Sequence, residues 1–161
     1  MAFPSRFTGL AGCEKTELGR ILASDNLGYV ASFDTTCQLQ TRWKLHKSKV
    51  SSVDVCPLDH NIVSTTSIDR TCCLWDIRYM KSAGSADSLC KPLVVQTFDG
   101  AVTAAQFSRN GRRLLVTSQD NYLRVCKLSA SSQGISLVGA CQQVAHPQHF
   151  YQHMHAYADA C

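Results

Sequence analysis

The chain has 161 residues, 45% of them hydrophobic and 17% charged, enough apolar material for one globular core and too little charge for a disordered chain. Its net charge of +4 permits contact with nucleic acid without arguing for it. The longest apolar runs, Lys91 to Val95 and Arg112 to Thr117, are strand-sized and exclude an apolar bilayer span, and Met1 to Cys13 reads as lacking a secretory leader.

In chain order, residues 1–19 are expected to form a poorly ordered N-terminal segment. A repeat then begins. Ser24-Asp25-Asn26-Leu27-Gly28-Tyr29-Val30 leads to Phe33-Asp34; Ser67-Ile68-Asp69-Arg70-Thr71 leads to Trp75-Asp76; Ser118-Gln119-Asp120-Asn121-Tyr122 leads to Cys126-Lys127. Asp34 to Asp76 spans 42 residues, and a WD blade takes roughly 40–45. Asp76 to Lys127 spans 51, stretched by the small and polar residues of Lys81 to Ser88, which resemble a surface insertion.

Strand signals recur within each period. Val50, Val53 and Val55 precede a turn at Pro57 to Asn61, then Ile62 to Thr66, the Asp69-Arg70 turn, and Cys72 to Trp75. Val102 to Phe107, the Arg109-Asn110-Gly111 turn, Leu114 to Thr117 and Leu123 to Leu128 repeat the plan. Short strands punctuated by Asn, Asp and Gly, with no competing helical period, predict antiparallel meanders. The expected fold is all-β, a section of a WD40 β-propeller over residues 20–145, with about two full blades and a partial one of a seven-bladed ring. In such a blade the turn Asp accepts backbone amides and reaches the His that opens the blade, the positions of Asp69 and His46, while the Trp packs between blades. Residues 146–161 read as a His- and aromatic-rich hairpin segment and a truncated tail.

Nine cysteines raise the question of a disulfide scaffold. Cys56, Cys72, Cys73 and Cys126 fall inside expected strands, Cys72 and Cys73 point to opposite sheet faces, and no CxxC pair occurs. Reduced thiols packed as small hydrophobes are expected, with no metal site and no cofactor.

Three stretches carry candidate chemistry. Arg42-Trp43-Lys44-Leu45-His46-Lys47-Ser48-Lys49 holds four Lys or Arg cations and no acid, suited to clamping phosphates or simply to a solvated strand face. Arg78, two residues past Asp76, presents a guanidinium on a rim, where it can bond a partner carboxylate or carbonyl in a bidentate manner. His146 to His155 places four histidines around Phe150, Tyr151 and Gln152. That segment reads as a metal site, as a His-rich terminus, or as an aromatic wedge with polar flanks that enters a minor groove and fills the gap left by an extruded base.

Together these segments resemble the WD-repeat small subunit of the UV-damaged-DNA-binding complex, the damage-specific DNA-binding protein 2 family. The similarity runs from about Ile21 to His155, through Leu45 to Val50, Ser67 to Arg78, Phe107 to Gly111 and Arg113 to Leu115, and ends on Gln152-His153. The resemblance implies a wedge at Tyr151-Gln152-His153, where the family has Phe-Gln-His, and lesion contacts at Lys49 and Gln119. It puts His149 where the family has an Arg, and Lys47 beside Lys49 on the DNA rim. It implies that Asp76 and Arg78 form the WDxR box that docks on the adaptor of a cullin-4 ubiquitin ligase. The expected function is non-enzymatic recognition of UV photolesions in nucleotide-excision repair, as a nuclear substrate receptor of that ligase. The expected partners are damaged double-stranded DNA, the ligase adaptor and histones, with no membrane. The rival readings are a generic WD-repeat scaffold or a chromatin-binding protein without lesion preference. The family's N-terminal helical arm finds no counterpart in Met1 to Gly19.

Overall fold

The computed structural model describes residues 6–13, 19–80, 90–131 and 134–145. All regular elements among them are strands, and they form three four-stranded antiparallel meanders. The first sheet contains β1 (Phe7–Cys13), β2 (Arg20–Asp25), β3 (Tyr29–Phe33) and β4 (Leu39–Lys44). The second contains β5 (Val50–Val55), β6 (Ile62–Ser67), β7 (Thr71–Asp76) and β8 (Val94–Thr97). The third contains β9 (Val102–Phe107), β10 (Arg113–Ser118), β11 (Tyr122–Ser131) and β12 (Gly134–Ala145).

Each sheet keeps chain order across its width, because tight turns join successive antiparallel strands. The sheets stack side by side, with β1 against β5 and β5 against β9. Every residue of β6 is buried, since the second sheet is covered on both faces. On one side Leu22, Val30, Trp43 and Leu45 meet Val53, Val63, Cys73 and Trp75. On the other, Ile62, Cys72 and Leu74 meet Phe98, Val102, Phe107, Leu114 and Cys126. The period-2 alternation of a strand makes this possible: Cys72 and Cys73 do point to opposite faces, one into each apolar layer. Burial pushes both thiols up, that of Cys73 to about 11, so neither is a ready thiolate.

The edges that face the next sheet are tied rather than left bare. Ala105 N–H donates to Ser52 Oγ at 3.1 Å and Phe107 N–H to Asp54 Oδ2 at 2.7 Å, so two amides of β9 are satisfied by side chains of β5. The Thr8 hydroxyl donates to the Val50 carbonyl in the same manner.

The structure adds two strands to the expected plan and overturns one expectation. The second sheet takes a fourth strand that the recurring signals did not give: β8, beyond the insertion, is paired with Thr71 to Leu74. The first sheet is likewise four-stranded, because β1 pairs along β2. The described residues thus form three four-stranded sheets, the section of a WD40 β-propeller expected from the repeat. The expectation of reduced thiols fails at one place, where Cys126 and Cys141 are joined by a disulfide. A register shift between Val125 and Lys127 brings these neighbours on β11 and β12 together, with a Cα–Cα separation of 4.3 Å. Cys37, Cys56, Cys72 and Cys73 are free thiols.

Candidate nucleic-acid interface

In a meander, alternate connections fall on the same end of the sheet. The β2–β3, β6–β7 and β10–β11 turns therefore share one end with the β4–β5 and β8–β9 connections. Asp side chains shape all three turns. Asp25 accepts Leu27 N–H and Tyr29 N–H, each at 2.9 Å; Asp69 accepts Thr71 N–H at 3.1 Å; Asp120 accepts Tyr122 N–H at 3.2 Å.

The β4–β5 connection is held from both sides. Gly28, at φ 90°, accepts Leu45 N–H at 3.0 Å and His46 N–H at 3.1 Å, and a Cβ there would lie 2.2 Å from the His46 carbonyl oxygen. Only glycine fits this approach. From the other side, Trp75 Nε1–H can only donate, and it does so to Thr65 Oγ1 at 2.7 Å. His46 bridges to the Asp69 carboxylate, which can only accept, through Nδ1–H at 3.0 Å from Oδ2, and its Nε2 lies 2.7 Å from the same Thr65 hydroxyl. Burial works against the charge on Asp69, but the bonds from His46 and Thr71 prevail and hold its carboxyl down at about 2. The pairing of His46 with Asp69 is the one expected from the sequence.

This frame sorts the cationic stretch. Strand alternation turns Trp43 and Leu45 into the core, and His46 is buried with them. Arg42 and Lys44 project from the opposite face, and both cations lie over the Tyr29 ring, at 3.8 and 4.5 Å from its centroid. Arg42 also pairs with Asp25 at 2.8 Å. Lys47 and Lys49 come after the strand ends, and both are exposed. The third described residue expected to contact DNA, Gln119, is also exposed and lies in the β10–β11 turn, its N–H bonded to the Ala101 carbonyl at 2.9 Å. The structure thus puts Lys47, Lys49 and Gln119 on one end of the stack.

Asp76 and Arg78 lie at the opposite end. Arg78 Nε donates to Asp76 Oδ1 at 2.9 Å and Nη2 to Asp76 Oδ2 at 2.6 Å, with Asp59 Oδ2 at 3.3 Å from the same nitrogen. The fork on Arg78 holds the Asp76 carboxyl below its ordinary value. Asp76 is buried while the Arg78 side chain is half exposed. The guanidinium is thus fixed by its own sheet before any partner arrives, a feature the spacing of the motif did not reveal.

His149, Tyr151, Gln152 and His153 lie outside the described residues. Sequence reasoning assigned no role to Arg70, which lies in the β6–β7 turn on the same end as Lys47 and Lys49. The signal was there, a cation at the tip of the turn after Asp69, but it was read only as part of the repeat.

The model of the "WD domain, G-beta repeat" family matches residues 36–76 and 93–127. Each matched unit opens before the first strand of one sheet, so the first of them takes in β4 of the sheet before it. The chain is 31% identical over 134 residues to "DNA damage-binding protein 2" of Mus musculus, covering 83% of this chain and 28% of that protein. It is 32% identical over 136 residues to the protein of the same name in Gallus gallus, covering 84% and 23%. With "Protein DAMAGED DNA-BINDING 2" of Arabidopsis thaliana the identity is 30% over 115 residues, covering 68% and 19%. The chain therefore spans less than a third of the length of these curated relatives.

Proposed function

The chain belongs to the DNA damage-binding protein 2 family of WD-repeat proteins, and from that premise we propose that it binds damaged duplex DNA through the end carrying Lys47, Lys49 and Gln119. The observation that carries this reading is the sorting of the cationic stretch. Two lysines are left exposed and, among the described residues, without an ion pair on the end that Gln119 shares, whereas Arg42 and Lys44 are occupied by Tyr29 and Asp25. Exposed lysines on a fixed loop attract phosphate and make binding depend on salt. Gln119 supplies a neutral donor and acceptor beside them.

In this proposal the lesions are UV photoproducts, which are cheaper to open than normal duplex because their stacking and pairing are already weakened. Tyr151-Gln152-His153 supplies the wedge and His149 a phosphate contact that strengthens on protonation. The opposite end, with Asp76 holding Arg78, docks on the adaptor of a cullin-4 ubiquitin ligase. The chain is then a nuclear, non-catalytic receptor that joins damaged DNA to a ligase.

The test is competition between a duplex carrying one UV photoproduct and the same undamaged duplex, at physiological salt, for the full chain. A preference for the damaged duplex is expected. Replacing Tyr151, Gln152 and His153 together by Ala should abolish the preference and leave weaker, salt-sensitive binding through Lys47 and Lys49. Equal affinity of the unaltered chain for both duplexes would sink the reading.

A further inference from the structure

We propose that Arg70 is a third phosphate-binding cation on this end, bridging the loop of Lys47 and Lys49 to the turn of Gln119; the inference rests on the reading that this end meets DNA. Four segments lie in order across it. The Lys49 carbonyl accepts Ile68 N–H at 3.2 Å, which sets the β6–β7 turn beside the β4–β5 connection. The Arg70 carbonyl accepts Phe98 N–H at 3.0 Å, which sets the β8–β9 connection on the other flank. In that connection a Cβ on Gly100 would come within 2.8 Å of Asp120 N and 2.9 Å of Gln119 C, so the β10–β11 turn follows directly. Arg70 stands in the middle of this row.

Its backbone is fixed and its side chain is not. Arg70 N–H donates to the Ser67 carbonyl at 3.2 Å, and with Phe98 on its own carbonyl both main-chain groups are used. Its φ of 68° lies in the left-handed region, where glycine or asparagine is usual, so an arginine here stands against local preference. The side chain is exposed, and among the described residues it enters no ion pair.

The acids of this end do not cancel it. Asp25 is engaged by Arg42, Asp69 by His46, and Asp120 by Arg124 at 2.6 Å. Asp99 is exposed in the β8–β9 connection. Among the described residues of these four segments, Lys47, Lys49 and Arg70 are exposed and enter no ion pair, and they face one such acid. A row of exposed cations on fixed backbone leading to a polar side chain suits the sugar–phosphate backbone of a duplex. The planar fork of Arg70 also suits two oxygens of one phosphate.

Arg70→Gly separates side chain from backbone, because glycine accepts the left-handed conformation and the turn should hold. With the full chain, the affinity for photoproduct and undamaged duplexes is measured across a salt series, beside Arg70→Lys and Lys49→Ala. We expect Arg70→Gly to keep the thermal midpoint and to weaken both duplexes several-fold at low salt. It should flatten the slope of log affinity on log salt by about one unit. Arg70→Lys should restore most of the slope, and the ratio between duplexes should stay unchanged. If Arg70→Gly binds with the original slope while Lys49→Ala flattens it, Arg70 makes no phosphate contact and only this inference falls. If the unaltered chain binds neither duplex, the reading of this end as a DNA surface falls with it.

Discussion

The second and third sheets have the same strand order and the same turn Asp, yet they lock that turn by different chemistry. His46 stands four residues before Val50, and Phe98 four before Val102; Trp75 and Cys126 each follow their Asp by six. In the second sheet a continuous run of hydrogen bonds joins Trp75, Thr65, His46 and Asp69. In the third, Phe98 cannot reach Asp120, and Arg124 takes over. It lies 2.6 Å from the Asp120 carboxylate and over the Phe98 and Tyr122 rings, at 4.9 and 5.3 Å from their centroids. Where Trp75 fills the space between sheets, the smaller Cys126 bonds Cys141 on the neighbouring strand. One turn geometry can therefore be held by a buried polar chain or by a cation between rings and a covalent clasp. The difference matters because the Lys47–Lys49 loop hangs on the first device and Gln119 on the second.

The strongest way to break the comparison is Trp75→Ala. Removing a fully buried indole leaves a cavity and takes away one of the two hydrogen bonds of the Thr65 hydroxyl, which should cost about 3–5 kcal/mol. Urea unfolding followed by circular dichroism should show a large drop in the midpoint. A near-normal midpoint would mean that the second sheet does not depend on its Trp.

Reduction comes next and should act on the third sheet alone. Opening a bridge with a sequence separation of 15 should lower stability by about 3 kcal/mol. Urea midpoints with and without a phosphine reductant measure this, and Cys141→Ser should make the chain indifferent to the reductant. If the unaltered chain already ignores reductant, the two cysteines do not form a stabilising bridge.

Acid gives the smallest and most graded effect. The Asp69 carboxyl is held at about 2 against an ordinary 3.8, so its contribution is complete above roughly pH 4 and disappears as pH falls toward 2. The shift corresponds to at most about 2.5 kcal/mol. Asp120, lowered by the bond from Arg124, has the same sign. Asp54 has the opposite sign: burial raises its pKa, so its ionisation as pH climbs through that value costs stability. Unfolding midpoints between pH 2 and 6 should therefore fall steeply at the acid end, and Asp69→Asn should flatten that fall. An unaltered slope in Asp69→Asn would contradict the placement of the charge.

Much of this architecture is legible along the chain. Asp and Gly punctuate short alternating strands at a blade-like interval, and His46, Asp69 and Trp75 stand where their bonds form. That legibility has a local cause, since turns and strand alternation depend on residues a few positions apart. The candidate site is legible to a lesser degree: Lys47 and Lys49 stand out as charges, but nothing in their spacing separates them from Arg42 and Lys44. Strand alternation and the Tyr29 ring make that separation. The fourth strand of the first sheet is not legible for a related reason, because β1 has little pattern of its own and becomes a strand only by pairing with β2 and lying against β5.

What the sequence by itself determined is therefore the class of fold, the repeat, the turn chemistry and the family to which the chain belongs. The tertiary structure alone decided the number of complete sheets and the meeting of Cys126 with Cys141. It also decided the holding of Arg78 by Asp76 and Asp59, and the alignment of Lys49, Arg70 and Gln119 across one end. Each of these joins residues whose approach depends on strand register or on sheet stacking. Register and stacking are set by burying Trp43, Trp75, Phe98 and Phe107 between sheets, a requirement of the whole chain that no short stretch of it expresses.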